Sequence, residues 1–435
     1  MTLRRMAAVS ALLLVVPLAR ASAGDPPKGF TPLFDGKTLA GWHGMPHFDP
    51  RDLAKMPEDA RAKQIAAWTE DAKTHWSVKD GDLVNDGHGT YLTTDKEYGD
   101  IELLIDYKTV PKADSGIYLR GTPQVQIWDS TPDGPSRKIG GDKGSGGLWN
   151  TTPGAPGKDP TEIADKPFGE WNHFRIIQVG ARTTVYLNDK KVVDGAIMEN
   201  FWDRAQPLFA KGVIQLQTHG GEIRWKNIAI REIKAEEANA ILGKRTEGFK
   251  PIFDGKTLNG WTGEAKNYQV VDGSIRCKPG TGGVAYFEKE LGDFAARVEF
   301  KLPPGGNNGL AIRYPGEGDT AYAGMCELQV LDDGDARYSK LDPRQTHGSI
   351  YGIAAAKRGY LRPVGEWNFQ EVHVKGSTIK VELNGTVIVD ADVSKITDYM
   401  ANSPHPGKDR KKGFFGFAGH GDPVEFKNVS IKTLD

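Results

Sequence analysis

A sixteen-residue segment near the start of the chain returns near its middle. Gly29-Phe-Thr-Pro-Leu-Phe-Asp-Gly-Lys-Thr-Leu-Ala-Gly-Trp42-His-Gly44 recurs as Gly248-Phe-Lys-Pro-Ile-Phe-Asp-Gly-Lys-Thr-Leu-Asn-Gly-Trp261-Thr-Gly263, with twelve of sixteen positions identical. Further matches follow in the same order. Trp76–Gly81 answers Tyr268–Gly273, and Ser115–Arg120 answers Asn308–Arg313. Phe168-Gly-Glu-Trp-Asn172 answers Val364-Gly-Glu-Trp-Asn368, and Trp225–Ile230 answers Phe426–Ile431. A period of about 200 residues is far too long for a solenoid and fits a duplicated whole domain. The expected organisation is a first copy over 24–234, a linker over 235–247 and a second copy over 248–435.

Each copy reads as strands. Ile101, Leu103, Ile105 and Tyr107 alternate with Glu102, Asp106 and Lys108, and Phe294, Ala296, Val298 and Phe300 alternate with Arg297, Glu299 and Lys301. Period 2 with one polar face marks a half-buried strand. Asn384-Gly385 sits between two apolar runs, and that pair tolerates the positive φ a tight hairpin needs. Its counterpart is Asn188-Asp189. With 53 Gly and 26 Pro punctuating such runs, each copy is expected to be an all-β, two-sheet antiparallel sandwich. Two helices interrupt the pattern. Pro57–Lys73 places Ile65, Trp68 and Ala72 on one helical face, in an insertion absent from the second copy. Ala235–Leu242, closed by Gly243, reads as a helical linker.

The chain opens with Arg4 and Arg5, a thirteen-residue apolar run over Met6–Leu18, and small residues at 19–24. This is the pattern of a secretory signal peptide over 1–23, with an uncleaved anchor as the alternative. It predicts export to the periplasm or beyond, with no other membrane partner. The remainder carries 53 basic against 57 acidic residues, which gives nucleic-acid binding no electrostatic support. Two cysteines, Cys277 and Cys326, exclude a disulfide scaffold, a Cys-ligated zinc finger and an iron–sulfur centre, and leave room for one disulfide.

At the Phe-Asp-Gly-Lys-Thr-Leu opening, the Gly-Glu-Trp-Asn segment and the closing Lys-Asn strand, the chain resembles the 3-keto-disaccharide hydrolase domain family over nearly all of 28–434, twice. The resemblance implies a concanavalin A-like jelly roll in each copy and action on oxidised glycosides. A ketone at C3 acidifies the C2 hydrogen. A base removes it, the enolate expels the C1 substituent, and water adds to the enone. Such a site needs a base, an acid for the leaving oxygen and a group to hold the enolate. Ordinary glycoside hydrolysis instead needs two facing carboxyls. Glu327-Leu-Gln329-Val-Leu-Asp332 only echoes the β-glucanase pattern, and Gln124-Val-Gln126-Ile-Trp-Asp129 has lost its first carboxylate.

The repeated polar positions supply the candidates. Arg120 and Arg313 close equivalent strands and offer a fixed cation to a carbonyl or enolate; the alternative is an ion pair with Asp129 or Asp332. His219 and His420 precede the last strand of each copy and titrate near neutrality. Glu327 is the carboxylate base of the second copy. The first would use His219, Asp129 or Glu222. Gln124, Gln126, Gln329 and Asp332 suit sugar hydroxyls, and Trp128, Trp149 and Tyr351 suit pyranose faces. Trp42, Trp261, Trp171 and Trp367 read as core. The Gly-rich loop 129–161 is long enough to carry function, with Lys138 and Lys143 solvated. No metal ligand set and no cofactor are expected, and a structural Ca²⁺ held by backbone carbonyls would leave no trace in sequence. The expected partner is a carbohydrate substrate. A non-catalytic carbohydrate-binding protein is the alternative, and an ordinary β-glucanase the third reading.

Overall fold

The computed structural model describes residues 26–121, 123–245 and 247–434. The leader, including its cleavage region, lies outside them. The first copy pairs an eight-stranded antiparallel sheet with a five-stranded one. The larger runs Lys190–Ile197, Arg182–Leu187, Asn172–Val179, Ile101–Thr109, Ile223–Glu232, Asp82–Asn85, Trp76–Lys79, with Thr31–Pro32 beside Ile223–Glu232. The smaller runs Trp42–Gly44, Leu92–Thr94, Gln215–Leu216, Asp114–Tyr118, Gln124–Trp128. The second copy repeats both, its smaller sheet running Trp261–Gly263, Gly283–Phe287, Phe414–Gly419, Asn307–Tyr314, Cys326–Leu331. Each copy encloses its own apolar core, so the chain is two tandem β-sandwiches.

The repeated motifs build this frame. Asp35 and Asp254 each accept hydrogen bonds from two backbone N–H groups in their own turn, those of Lys37 and Thr38 and of Lys256 and Thr257. Trp42 and Trp261 are core, and their indole N–H groups donate to Leu33 O at 2.6 Å and Ile252 O at 3.0 Å. The Asn of each Gly-Glu-Trp-Asn segment accepts from the hairpin Asn, Asn188 to Asn172 and Asn384 to Asn368, both at 2.8 Å. Those hairpin residues take φ 51° and 49°. Trp171 and Trp367 depart from expectation. They are half-buried, each clasped by two lysines: Lys108 and Lys226 at 4.7 and 4.0 Å, Lys301 and Lys427 at 4.8 and 4.1 Å. An indole beside two ammonium groups is held by cation–π attraction at the surface.

The insertion forms two helices, Pro50–Lys55 and Glu58–His75. The longer one starts with Glu58 and Asp59 and ends with Lys73 and His75, charges that suit the helix dipole. Ala72 is buried, and Trp68 approaches Gly44 so closely that a Cβ there would lie 2.1 Å from Trp68 O. Ala235–Lys244 is a docked helix. Ala238, Asn239 and Leu242 are buried between the copies, with Val179, Ile233 and Phe369 around the apolar pair. Cys277 and Cys326 are both buried free thiols, so the open disulfide is not formed.

Candidate functional site

Alternation in the smaller sheet decides which side chains can meet a ligand. In Gln124–Trp128, Val125 and Ile127 enter the core, so Gln124, Gln126 and Trp128 take the other face. In Cys326–Leu331, Leu328 and Val330 enter the core and leave Glu327 and Gln329 opposite. The neighbouring strand is in the same register in both copies. Asp114, Gly116 and Tyr118 stand across from Trp128, Gln126 and Gln124. Asn307, Gly309 and Ala311 stand across from Leu331, Gln329 and Glu327.

In the first copy this face carries a chain of polar contacts. Gln124 Nε2 donates to Gln126 Oε1 at 2.5 Å, and Gln126 Nε2 donates to Asp114 Oδ1 at 2.7 Å. Asp114 Oδ2 lies 3.3 Å from His219 Nδ1. The His219 side chain is 62% exposed and that of Asp114 17%, so the imidazole is at the lip and the carboxyl behind it. Burial pushes the Asp114 carboxyl above the usual range, against the opposing pull of His219, Gln126 and Ser136. Tyr91 and Tyr118 stack at 5.6 Å, and burial holds the Tyr118 phenol protonated. Trp128 meets Trp149 edge-on at 4.8 Å, with Gly140 of the Gly-rich loop against Trp128. That loop also brings Ser136 within 3.5 Å of Asp114, and its Lys143 pairs with Asp159.

The second copy holds the same two kinds of group in other places. Glu327 Oε1 is 3.5 Å from His420 Nε2. Its carboxylate raises the His420 pKa above the ordinary imidazole value, against burial. Gln329 Nε2 donates to Asn307 Oδ1 at 2.6 Å, where the first copy has Asp114. Tyr351 packs beside Glu327, its N–H donating to Glu327 O at 2.9 Å, and its hydroxyl accepts from Gln345 at 3.0 Å.

The two arginines do not join these groups. Both adopt positive φ, 55° and 46°, and turn back into the frame. Arg120 donates to Phe209 O and Gly99 O and pairs with Asp100. Arg313 donates to Gly292 O, Gly376 O and Arg410 O and pairs with Asp293 at 2.6 Å. Their partners are not Asp129 and Asp332. Asp129 accepts from Lys112 N and from Thr131, and these bonds outweigh burial and keep its carboxyl below the usual range. Asp332 accepts from Gly305 N at 2.7 Å. Both aspartates tie loops. Glu222 is engaged by Arg224 at 2.8 Å.

Asp114 has no echo in the second copy and so was hidden from a search for repeated residues. The register would have found it, two places before Gly116 on the face of Gln126. His47, from the insertion, was also missed. It packs against Tyr118, Phe201 and Trp202 at 4.5, 4.8 and 4.5 Å, and burial lowers its pKa to about 4, so it stays neutral. A cleft of about 450 Å³ between the copies is lined by Arg182, Arg245, Glu371, His373 and Glu382. Its glutamates are consumed by those arginines and by His373, and it touches neither Asp114–His219 nor Glu327–His420. Among the described residues no three His, Cys, Asp or Glu side chains are grouped to hold a metal ion.

Residues 29–231 and 248–432 match the family described as the 3-keto-alpha-glucoside-1,2-lyase-like domain. A 3-keto-disaccharide hydrolase of Bacteroides thetaiotaomicron is 28% identical over 248 residues, 47% of this chain and 85% of that protein. A candidate glycosyl hydrolase of Parabacteroides distasonis, of known structure, is 27% identical over 43% of this chain and all of its own, with a TM-score of 0.39. A second from the same organism is 26% identical over 47% of this chain and 99% of its own, with a TM-score of 0.38.

Proposed function

We propose, from the premise that the chain belongs to the 3-keto-alpha-glucoside-1,2-lyase-like domain family, that it is an exported hydrolase that cleaves 3-keto-glycosides by elimination and hydration. The observation that carries this is the contact of one raised carboxyl with one exposed imidazole, Asp114 with His219, on the face of the smaller sheet turned away from the core in the first sandwich. A lone carboxylate with an imidazole cannot act as the paired carboxyls of ordinary glycoside hydrolysis. It does suit a substrate whose own ketone makes C2–H removable.

In this reading the ionised Asp114 takes the C2 proton, and the C2–H electron pair passes into the C3 enolate. The enolate reforms the ketone as C1=C2 forms and the C1–O bond breaks, and protonated His219 gives its proton to the departing oxygen. A water then adds at C1 of the enone. Neutral His219 takes the water proton while Asp114 returns its own to C2, and both groups regain their starting states. A raised carboxyl is the stronger base once ionised, and acid–base help of this kind contributes about 10²–10⁴-fold. The Tyr118 phenol, neutral by burial, is the donor for the enolate oxygen in place of Arg120. Gln124 and Gln126 fix the carboxyl, and Trp149 supplies an apolar face for the pyranose.

The test is single-turnover cleavage of 3-keto-trehalose carrying deuterium at C2, with detection of free 3-keto-glucose. Slower cleavage than the unlabelled substrate and no action on unoxidised trehalose are expected. Equal rates for the two substrates overturn the elimination route. Export is tested by terminal sequencing of the secreted chain, expected to begin after Ala23.

A further inference from the structure

We propose that the second copy is a catalytic centre in its own right, with Glu327 as base and His420 as acid, directed at 3-keto-glycosides whose C1 substituent carries fewer hydroxyls. This rests on the reading of the first copy given above. Its own support is the comparison of the two faces.

The two positions that differ in charge are related by an exchange. Where the first copy has Asp114 the second has Asn307, and where the first has Gln124 the second has Glu327. A copy that has decayed into a spacer would lose its carboxylate without replacement. Here each face keeps one carboxyl and one amide, and only the strand that carries the charge has changed. The moved carboxyl is buried, with its side chain 6% exposed, a costly place for a charge without a purpose or a partner. Its partner is the imidazole at the lip, 48% exposed, as in the first copy. Both faces also reserve room for that side chain. A methyl at Gly116 would lie 2.0 Å from Gln124 Oε1, and one at Gly309 would lie 2.1 Å from Glu327 Oε1.

The pair is laid out in reverse. Asp114 meets Nδ1 of its histidine and leaves Nε2 for the substrate; Glu327 meets Nε2 and leaves Nδ1. The walls differ as well. Sheet pairing places Tyr118, Gln215 and Gln217 of the first copy at Ala311, Gly416 and Ala418 of the second. A phenol and an amide that hydrogen-bond hydroxyls, Tyr118 and Gln217, give way to two alanines, while Gln215 is fully buried with its amide donating to Met45 O, Pro46 O and Thr93. Tyr351 stands where the first face has Trp149, and the helical insertion that brings His47 is missing. A hydroxyl-rich leaving sugar therefore fits the first centre, and an aryl aglycone the second. The bonds made and broken are those written above, with Glu327 taking and returning the C2 proton and His420 serving the leaving oxygen and the water.

The experiment compares the full chain with D114N, E327Q and the double variant on 3-keto-trehalose and on phenyl 3-keto-glucoside, with thermal melts to verify folding. D114N should cut turnover of the disaccharide at least ~10²-fold and spare most of the aryl substrate, E327Q should do the reverse, and the double variant should lose both. Adding N307D to E327Q moves the charge to the first-copy position and should restore part of the aryl activity. If D114N alone matches the double variant on both substrates, the second copy is not a centre and the proposal fails. Equal loss of both substrates in each single variant also ends it. If the wild-type chain turns over neither substrate, the reading of the first copy fails instead.

Discussion

Replacing Arg313 by Met separates a structural cation from a catalytic one. The guanidinium is fully buried and donates to the carbonyls of Gly292, Gly376 and Arg410 at 2.9, 2.7 and 2.9 Å. It also pairs with Asp293 at 2.6 Å, a carboxylate whose side chain keeps 29% exposure. Met preserves the stem and removes these interactions. Deleting one partner of a buried pair costs ~3–5 kcal/mol, and the remaining solvent access of Asp293 argues for the lower half of that range. For a unit of this size each kcal/mol lowers Tm by about 2–4 °C, so the second sandwich should melt roughly 6–16 °C lower. Differential scanning calorimetry of the full chain reads this as a new, earlier transition. Turnover of a 3-keto-glycoside at 15 °C, where the variant is still folded, should stay within about two-fold of wild type, because the group does not join Glu327 or His420. An unchanged melt with activity lost a hundred-fold or more would place the guanidinium in the chemistry and refute the reasoning. Arg313→Lys, which keeps the charge beside Asp293 but has no fork for the carbonyls, should fall between.

Asp114→Asn should stabilise the fold at neutral pH while lowering turnover. The folded-state carboxyl titrates above the unfolded one, so the native chain binds more protons between the two values. Stability then falls as pH rises through that window and stays lowered above it. Urea midpoints should rise for the variant at pH 7 and show no gain at pH 3; destabilisation at pH 7 would contradict this. Gly309→Ala forces a methyl to 2.1 Å from Glu327 Oε1, and the carboxyl must swing away from His420. Overpacking of this kind costs ~1–3 kcal/mol, and turnover of phenyl 3-keto-glucoside should drop with it; unaltered kinetics would show that the Glu327–His420 contact is idle. At the junction, Glu382 joins Arg182 and Arg245, with contacts of 2.5 and 2.6 Å. Glu382→Gln should split one calorimetric transition into two. Nearby Glu371 is held down to about 2 from an ordinary 4.5 by His373, Arg245 and Arg297 against burial. Its folded value lies below the unfolded one, so its contribution is complete above the unfolded pKa and is lost as pH falls toward 2. Melts at pH 5, 3.5 and 2 should show that loss, and Glu371→Gln should flatten it.

The architecture was legible because duplication and period-2 alternation are both properties of the chain alone. Alternation was less reliable about what covers the second face. Glu102, Arg297 and Glu299 stand at polar positions of their strands, yet all three are buried. Glu102 lies between Arg175 and Arg231, Arg297 reaches Glu371, and Glu299 accepts from Asn239 of the docked helix. A helix that reads as a linker is here a lid over polar side chains, and such packing between distant segments leaves no periodic mark. The lysine clasp on Trp171 and Trp367 is hidden for the same reason. Its lysines come from two other strands, and only the register brings them onto one ring.

The site was harder, and the reason lies in what duplication preserves. Both copies must solve one folding problem, so the residues that solve it stay the same. Arg120 with Asp100 and Arg313 with Asp293 are one clamp made twice, and the aspartate in each also accepts a backbone N–H at 2.8 Å, from Gly180 and Gly376. Gly212 and Gly413 stand where any side chain would strike the arginine backbone, with a Cβ at 2.5 and 2.4 Å from the nearest atom. Identity between the copies at the arginine therefore pointed to the frame. A binding face is free to change as long as the sheet beneath it does not. The carboxyl could pass from Asp114 to the strand of Glu327 because positions on one face of adjacent strands lie within a side chain's reach of the same imidazole. In a duplicated sandwich, the chemistry is to be sought where aligned positions exchange charge, and the conserved arginine of each copy is the evidence of how firmly the rest is fixed.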